Sequence, residues 1–263
     1  MSWLTKTFSS SLGKKLLMGL TGLFLCSFLV VHMAGNLQLF KNDGGYAFNV
    51  YAVLMTSNPF IKTISYSLYA LILVHAFYGL YLAYKNRKAR PVQYAQVNKN
   101  SSWASRNMAI LGTLLLVYIV VHMADFWAQY KFGHIPYKMY VEDIRTGKAV
   151  QDYPKEMPKD FVMEKKMEES LDLQQGVKVT IVKDLYKEVS EAFKNIWLVI
   201  MYVIGMAVLA FHLVHGFQSA FQTLGINHPK YTPAIKFLGI WVFAIGIPIA
   251  FAAMPIYFFI KSL

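Results

Sequence analysis

Five long apolar stretches dominate what this chain can become: about Leu16–Phe40, Thr63–Tyr84, Met108–Ala128, Asn195–Phe221 and Ile235–Ile260. A bilayer core of about 30 Å is crossed by roughly 20 helical residues rising 1.5 Å each, so all five can span it. Only 15% of the residues are charged, against about 25% in soluble domains, which points to lipid as the solvent for much of the surface. The expected fold class is an all-α membrane protein: one integral membrane domain over residues 1–263, with five transmembrane helices, I to V. Lys6, Lys14 and Lys15 precede helix I as they would a signal peptide. Its apolar run is longer than a signal's and no small-x-small cleavage site follows, so it reads as a retained first span.

Net charge is +12. On a soluble domain that would suggest nucleic acid, but here the basic residues fall between apolar runs, where they report orientation, and no nucleic-acid partner is expected. Lys6, Lys14, Lys15, Lys85, Arg87, Lys88, Arg90, Lys99, Arg106, Lys230 and Lys236 belong to the N-terminus and to the II–III and IV–V connections, which contain no Asp or Glu. The long connection 129–194 has 12 basic and 12 acidic residues. The asymmetry predicts a cytoplasmic N-terminus, with the C-terminus and the 129–194 insert outside. Within that insert, Val182, Leu185, Val189 and Phe193 stand at helical spacing, which predicts an upward extension of helix IV. Tyr46–Thr56, ending at Ser57-Asn58-Pro59, reads as a short interfacial helix, and Pro248 and Pro255 predict bends in helix V.

Of seven histidines, His134 and His228 sit in polar loops and read as surface residues. The other five lie in apolar spans: His32, His75, His122, and the pair His212 and His215. An ionisable side chain within a span is costly and by default marks a site. The sequence also echoes itself. Val30-Val31-His32-Met33-Ala34 returns as Val120-Val121-His122-Met123-Ala124, and a glycine, Gly22 or Gly112, stands ten residues before each histidine. Helices II and IV share a different signature, in which Gly79 follows His75 and Gly216 follows His212 by four residues. At that spacing the glycine lies on the histidine's face one turn on and leaves a recess beside the imidazole. The spacing favours His212 over His215, which stays open as an alternative ligand.

Depth sorts the four helices into pairs. His32 and His122 lie about seven residues, roughly 10 Å, from the outer ends of helices I and III; His75 and His212 lie roughly 18–25 Å down helices II and IV. Two neutral imidazoles per level match the axial positions of a haem, giving an outer haem held by His32 and His122 and an inner one by His75 and His212. Zinc or copper would want three or four ligands converging at one depth. The single cysteine, Cys26, can hold neither an iron–sulfur cluster nor an internal disulfide, and no Cys-x-x-Cys-His motif is present, so both haems would be of the non-covalent b type. An iron with both axial positions filled transfers electrons rather than activating a ligand. The bundle is therefore a four-helix haem-binding core plus a fifth, peripheral helix.

One ligand histidine on each of the first four spans, with His212-Leu-Val-His-Gly216 followed by Gly225-Ile226, resembles the membrane cytochrome b subunit of succinate dehydrogenase and fumarate reductase, of the single-chain, five-helix, two-haem type. The resemblance covers essentially the whole chain except the insert. It implies an anchor in the bacterial inner membrane for a cytoplasmic flavoprotein subunit and an iron–sulfur subunit, which carry the succinate–fumarate chemistry of respiratory complex II and the tricarboxylic acid cycle. Electrons would pass between the iron–sulfur subunit, the two haems and a quinone, menaquinone in the first instance. A dimer of such complexes is compatible with it. A potential negative inside would assist outward electron movement by about 2.3 kcal/mol per 100 mV.

For the quinone site the candidates are Asp125, one turn past His122, with Asn36 and Gln38 after His32; for the haem propionates they are Trp103, Arg106 and Gln222. One departure matters: some family members carry a glutamate two residues before the fourth-span histidine, part of a proton route, and here that position is Ala210. The alternatives are a two-haem subunit of another quinone-linked dehydrogenase, such as a hydrogenase or formate dehydrogenase, and a transporter relaying protons or a metal through its histidines.

Overall fold

The computed structural model describes residues 10–89, 102–150, 152–158 and 160–263; Lys6, Arg90 and Lys99 of the charge argument lie outside the described residues. The chain is mostly helical, 70%. Five helices are long and apolar enough to cross a membrane: Ser11–Phe40, Pro59–Ala89, Met108–Phe132, Ile196–Thr223 and Thr232–Ser262, of 25 to 31 residues. Each runs past the apolar stretch that announces it, because local capping rather than hydropathy sets the ends. The Asn58 side chain accepts from the amides of Phe60 and Ile61 at 2.9 and 3.2 Å, so the second span starts at Pro59, where a missing N–H costs nothing. The fourth ends at Gly225, φ +76°, with Ile226 N–H on Phe221 O at 3.0 Å and Gly225 N–H on Gln222 O at 3.1 Å. That is the Schellman closure, and glycine supplies its left-handed residue.

Two spans carry wide, π-helical turns, Met123–Ala128 directly after His122 and Leu238–Gly246. The second ends just ahead of Pro248, whose ring crowds the carbonyl four residues back and which has no N–H to donate, so loosening of the turn there has a cause.

The all-α expectation is corrected in the insert. Tyr137–Asp143 (β1), Lys155–Glu156 (β2), Met167–Asp172 (β3) and Val177–Lys183 (β4) form an antiparallel sheet in the order β2-β1-β4-β3. Val177-Lys-Val-Thr-Ile-Val-Lys is a β-branched run, which fits a pleated, half-covered surface better than a helix. Helix IV is therefore not extended upward through Val182. Val182 lies within β4, Leu185–Ala192 is a separate helix capped by Asp184, and Asn195 restarts the chain by accepting from Trp197 N–H at 3.0 Å. The short helix expected at Tyr46–Thr56 is present as Tyr46–Ser57.

The chain divides into two compact units. The first comprises Met1–Met33, Ser65–Val120 and Ile200–Pro255. Its core gathers Cys26, Leu213, Phe217 and Ala244 from the first, fourth and fifth spans, with Phe217 stacked on Phe243 at 4.6 Å. Gly19 lets the first span approach the fourth closely: a Cβ there would lie 3.5 Å from the Ala220 backbone.

The second unit comprises Ala34–Ile64, Val121–Val199 and Ile256–Leu263. Helix Tyr46–Ser57 lays Tyr46 and Val53 on the sheet against Tyr140, Val182 and Met167. A buried polar knot fixes that docking. Asn49, 0% exposed, donates to the Tyr140 hydroxyl at 3.1 Å and to Asp184 Oδ1 at 2.8 Å, while its carbonyl accepts from Tyr186 N–H at 2.9 Å. Tyr140 in turn donates to Gly44 O at 3.0 Å; burial, with the Asp184 carboxylate next, pushes its phenol well above the usual range, so it stays a neutral donor. Gly45, at φ +92°, starts the helix where an added Cβ would meet the base of the Tyr186 side chain at 2.5 Å. We expect Gly45→Ala to cost at least about 1–2 kcal/mol from the left-handed backbone alone, read as a lower melting temperature of the purified chain.

Candidate functional site

In the first unit, the second and fourth long helices bring two imidazoles together edge-on. The ring centroids of His75 and His212 are 6.3 Å apart and their planes meet at 68°. Each ring is backed by a glycine of a neighbouring span: a Cβ on Gly22 would lie 3.4 Å from His75 Cε1, and one on Gly112 would lie 3.8 Å from His212 Cε1. The two echoing glycines thus stand against the histidines of the other pair, a relation that spacing along one helix could not show. The same-helix recesses differ from each other. Beside Gly216 an added Cβ would meet only the His212 ring, at 4.0 Å, whereas the space beside Gly79 faces the Met18 methyl at 3.5 Å.

The hydrogen bonding of the two rings is unequal. His75 Nδ1 lies 2.9 Å from the hydroxyl of Thr21, a residue only 4% exposed. His212 Nδ1 is buried with no hydrogen-bond partner among the described residues. His215 is half-buried, and the ring that faces His75 is that of His212.

Two imidazoles bound to opposite sides of one metal at about 2.0–2.1 Å per bond, as in metal–imidazole sites generally, have centroids about 6.4 Å apart. The observed centroid separation, 6.3 Å, is close to that value. Among the described residues no three of His, Cys, Asp and Glu converge on one point, so a three- or four-ligand zinc or copper site is not assembled there. The donor set present, two imidazoles on different helices, suits a group that takes two histidine ligands.

His32 also belongs to the first unit, stacked on Phe28 at 5.1 Å and tilted against Phe251 at 5.4 Å. His122 belongs to the second, edge-on to Phe126 at 5.7 Å, with Phe126 against Phe193 at 5.6 Å. The chain immediately after His122 takes the wide turn that includes Asp125, and such turns recur at functional sites. Asn36 closes the helix that carries His32, and Gln38 lies in the tight turn Leu37–Phe40, its carbonyl accepting from Lys41 N–H at 3.1 Å. All three quinone candidates belong to the second unit.

Of the propionate candidates, Trp103 opens a one-turn helix capped by Ser102 and packs edge-on against Phe211, next to His212, at 5.5 Å. Arg106 ends that helix and is exposed; Gln222 is exposed near the end of the fourth span. The loop histidines behave as surface residues: His134 is exposed, and His228 is exposed and stacked on Tyr231 at 5.2 Å. Residues that the sequence did not single out are Thr21, for which a hydroxyl one position before Gly22 was the available signal, and the Asn49–Tyr140–Asp184 knot, whose partners are far apart in the chain.

Comparison with family models, with curated proteins and with solved structures finds no match to this chain.

Proposed function

We propose that the chain is the two-haem cytochrome b membrane subunit of a quinone-linked dehydrogenase, of the succinate dehydrogenase and fumarate reductase kind. The observation that carries the reading is the 6.3 Å separation of the His75 and His212 rings on two different spans. It is the distance that two trans imidazoles require, at a place where lipid-facing helices would otherwise not keep ionisable side chains. A bound haem would supply one-electron transfer.

The chain's own part is to hold and orient. His75 and His212 would ligate the inner haem, with Gly22 and Gly112 leaving the rings free to stand edge-on. His32 and His122 keep the role of ligands to a second haem on the sequence argument. Trp103, Arg106 and Gln222 remain the donors proposed for propionates, and Asp125, Asn36 and Gln38 those for a quinone, which needs polar groups able to exchange protons. The five apolar helices would cross the bacterial inner membrane with the N-terminus in the cytoplasm. The basic residues of that face would then meet a flavoprotein and an iron–sulfur subunit.

Membranes holding the assembled complex test the dehydrogenase assignment. Succinate, or menaquinol in the reverse direction, reduces b-type absorbance if the reading is right. Reduction by hydrogen or formate but not by succinate moves the chain to another dehydrogenase.

A further inference from the structure

We infer that Thr21 is a positioning residue that fixes the tautomer and electron donation of His75, and that the two axial imidazoles of the inner site are inequivalent by construction. The inference rests on the haem reading above and deepens it.

The direction of the bond follows from counting protons. A threonine hydroxyl has one hydrogen to give. In the first span the Thr21 oxygen lies 2.8 Å from Leu17 O and 3.2 Å from Met18 O, the usual back-bond of a threonine inside a helix. If its hydrogen went to His75 instead, two acceptor oxygens would face each other at 2.8 Å with nothing between them. The hydrogen therefore goes to Leu17 O, and the oxygen presents a lone pair to His75 Nδ1 at 2.9 Å. Nδ1 is then the protonated nitrogen and Nε2 the free one, the tautomer a metal ligand needs. The adjacent Gly22 adds to the placement, since even a Cβ there would reach His75 Cε1 at contact distance, 3.4 Å.

The other half of the echo lacks this device. Ninety positions on, the residue before Gly112 is Leu111, buried and without a polar atom. Gly112 stands against His212 as Gly22 stands against His75, and His212 Nδ1 is the buried nitrogen left unpartnered. One imidazole is thus held and made a stronger electron donor by a hydroxyl acceptor, while its counterpart is held by packing. Donation from Nδ1–H pushes electron density towards the opposite nitrogen, which favours the oxidised, more positive iron over the reduced one.

The test is redox titration and haem quantitation of the purified chain carrying Thr21→Val, Thr21→Ala, Thr21→Ser or Leu111→Thr. Thr21→Val and Thr21→Ala should weaken inner-haem retention by about 10–100-fold, the usual effect of losing a partner of a ligating histidine. They should also raise the midpoint potential of one haem only, by about 59 mV for each tenfold preferential loss of the oxidised form. Thr21→Ser restores both values, and Leu111→Thr shifts the same haem's potential downward. If Thr21→Val does not accumulate, Thr21→Ala carries the same comparison against Thr21→Ser. Potentials and haem retention unchanged from wild type in both hydroxyl-free variants overturn the inference, as does a Thr21→Ser chain that behaves like Thr21→Ala. A wild-type chain without haem sinks the parent reading instead, so the two failures are distinguishable.

Discussion

We expect alanine at His212 to remove one of the two proposed haems from the purified chain, and alanine at His75 to remove the same one. The double variant loses no more than either single variant. This follows from rings whose centroids lie 6.3 Å apart: His75 and His212 would hold the same haem, so taking away either imidazole would leave it one ligand short. The expected change is not graded. The low-spin signal of one haem disappears, that of the other persists, and haem per chain halves. His215→Ala leaves both haems in place, because the ring opposite His75 is that of His212. Loss of the inner haem in His215→Ala with retention in His212→Ala reverses the ligand assignment while leaving the two-haem reading intact.

The second large effect lies in the sheet-bearing unit. Asp184 is 1% exposed. Its Oδ1 accepts from Asn49 at 2.8 Å and from Lys187 N–H at 3.2 Å, capping the helix Leu185–Ala192. Its Oδ2 has no hydrogen bond among the described residues. The Lys138 ammonium, 3.6 Å away, is an ion-pair partner too distant for one. Lys138 also donates to Gly44 O at 2.9 Å, and its charge lies 5.9 Å from the Tyr140 and Tyr186 ring centroids. Asp184→Ala would strand a largely buried cation and remove a cap, a combination worth about 3–5 kcal/mol. Asp184→Asn keeps the cap and an acceptor for Asn49, so it should cost less than half as much. Thermal or denaturant unfolding of the purified chain reads both, with haem content expected to hold below the transition. Equal losses in the two variants would mean that the hydrogen bonds contribute little and the charge nearly everything.

Much of this architecture was legible in the sequence, and the misses have physical causes. The five long apolar helices stand out because a helix able to cross a bilayer needs some 20 apolar residues. Their ends were less legible. Asn58 with Pro59 and Gly225 with Ile226 set them through capping bonds, which a hydropathy pattern does not register. The histidines stood out as candidates for a site, but the sequence shows periodicity along one helix and not which side chains of different helices meet. Gly22 and Gly112 could therefore be noticed as an echo without revealing that they back His75 and His212.

The insert was misread where two periodicities overlapped. Val182 fits a helical spacing with Leu185, Val189 and Phe193, yet it also ends the β-branched run from Val177. Pairing with β1 and β3 gives that run partners which its local sequence does not display. The wide turn after His122 had no trace at all, since Val120–Ala124 repeats Val30–Ala34 while the backbone beyond it departs from the first copy.

The most direct measurement is the dithionite-reduced-minus-oxidised absorbance spectrum of the purified chain, with haem quantified against protein. The account predicts b-type bands and about two haems per polypeptide. A colourless preparation, or bands that persist with His75 and His212 both replaced by alanine and no haem lost, would contradict it.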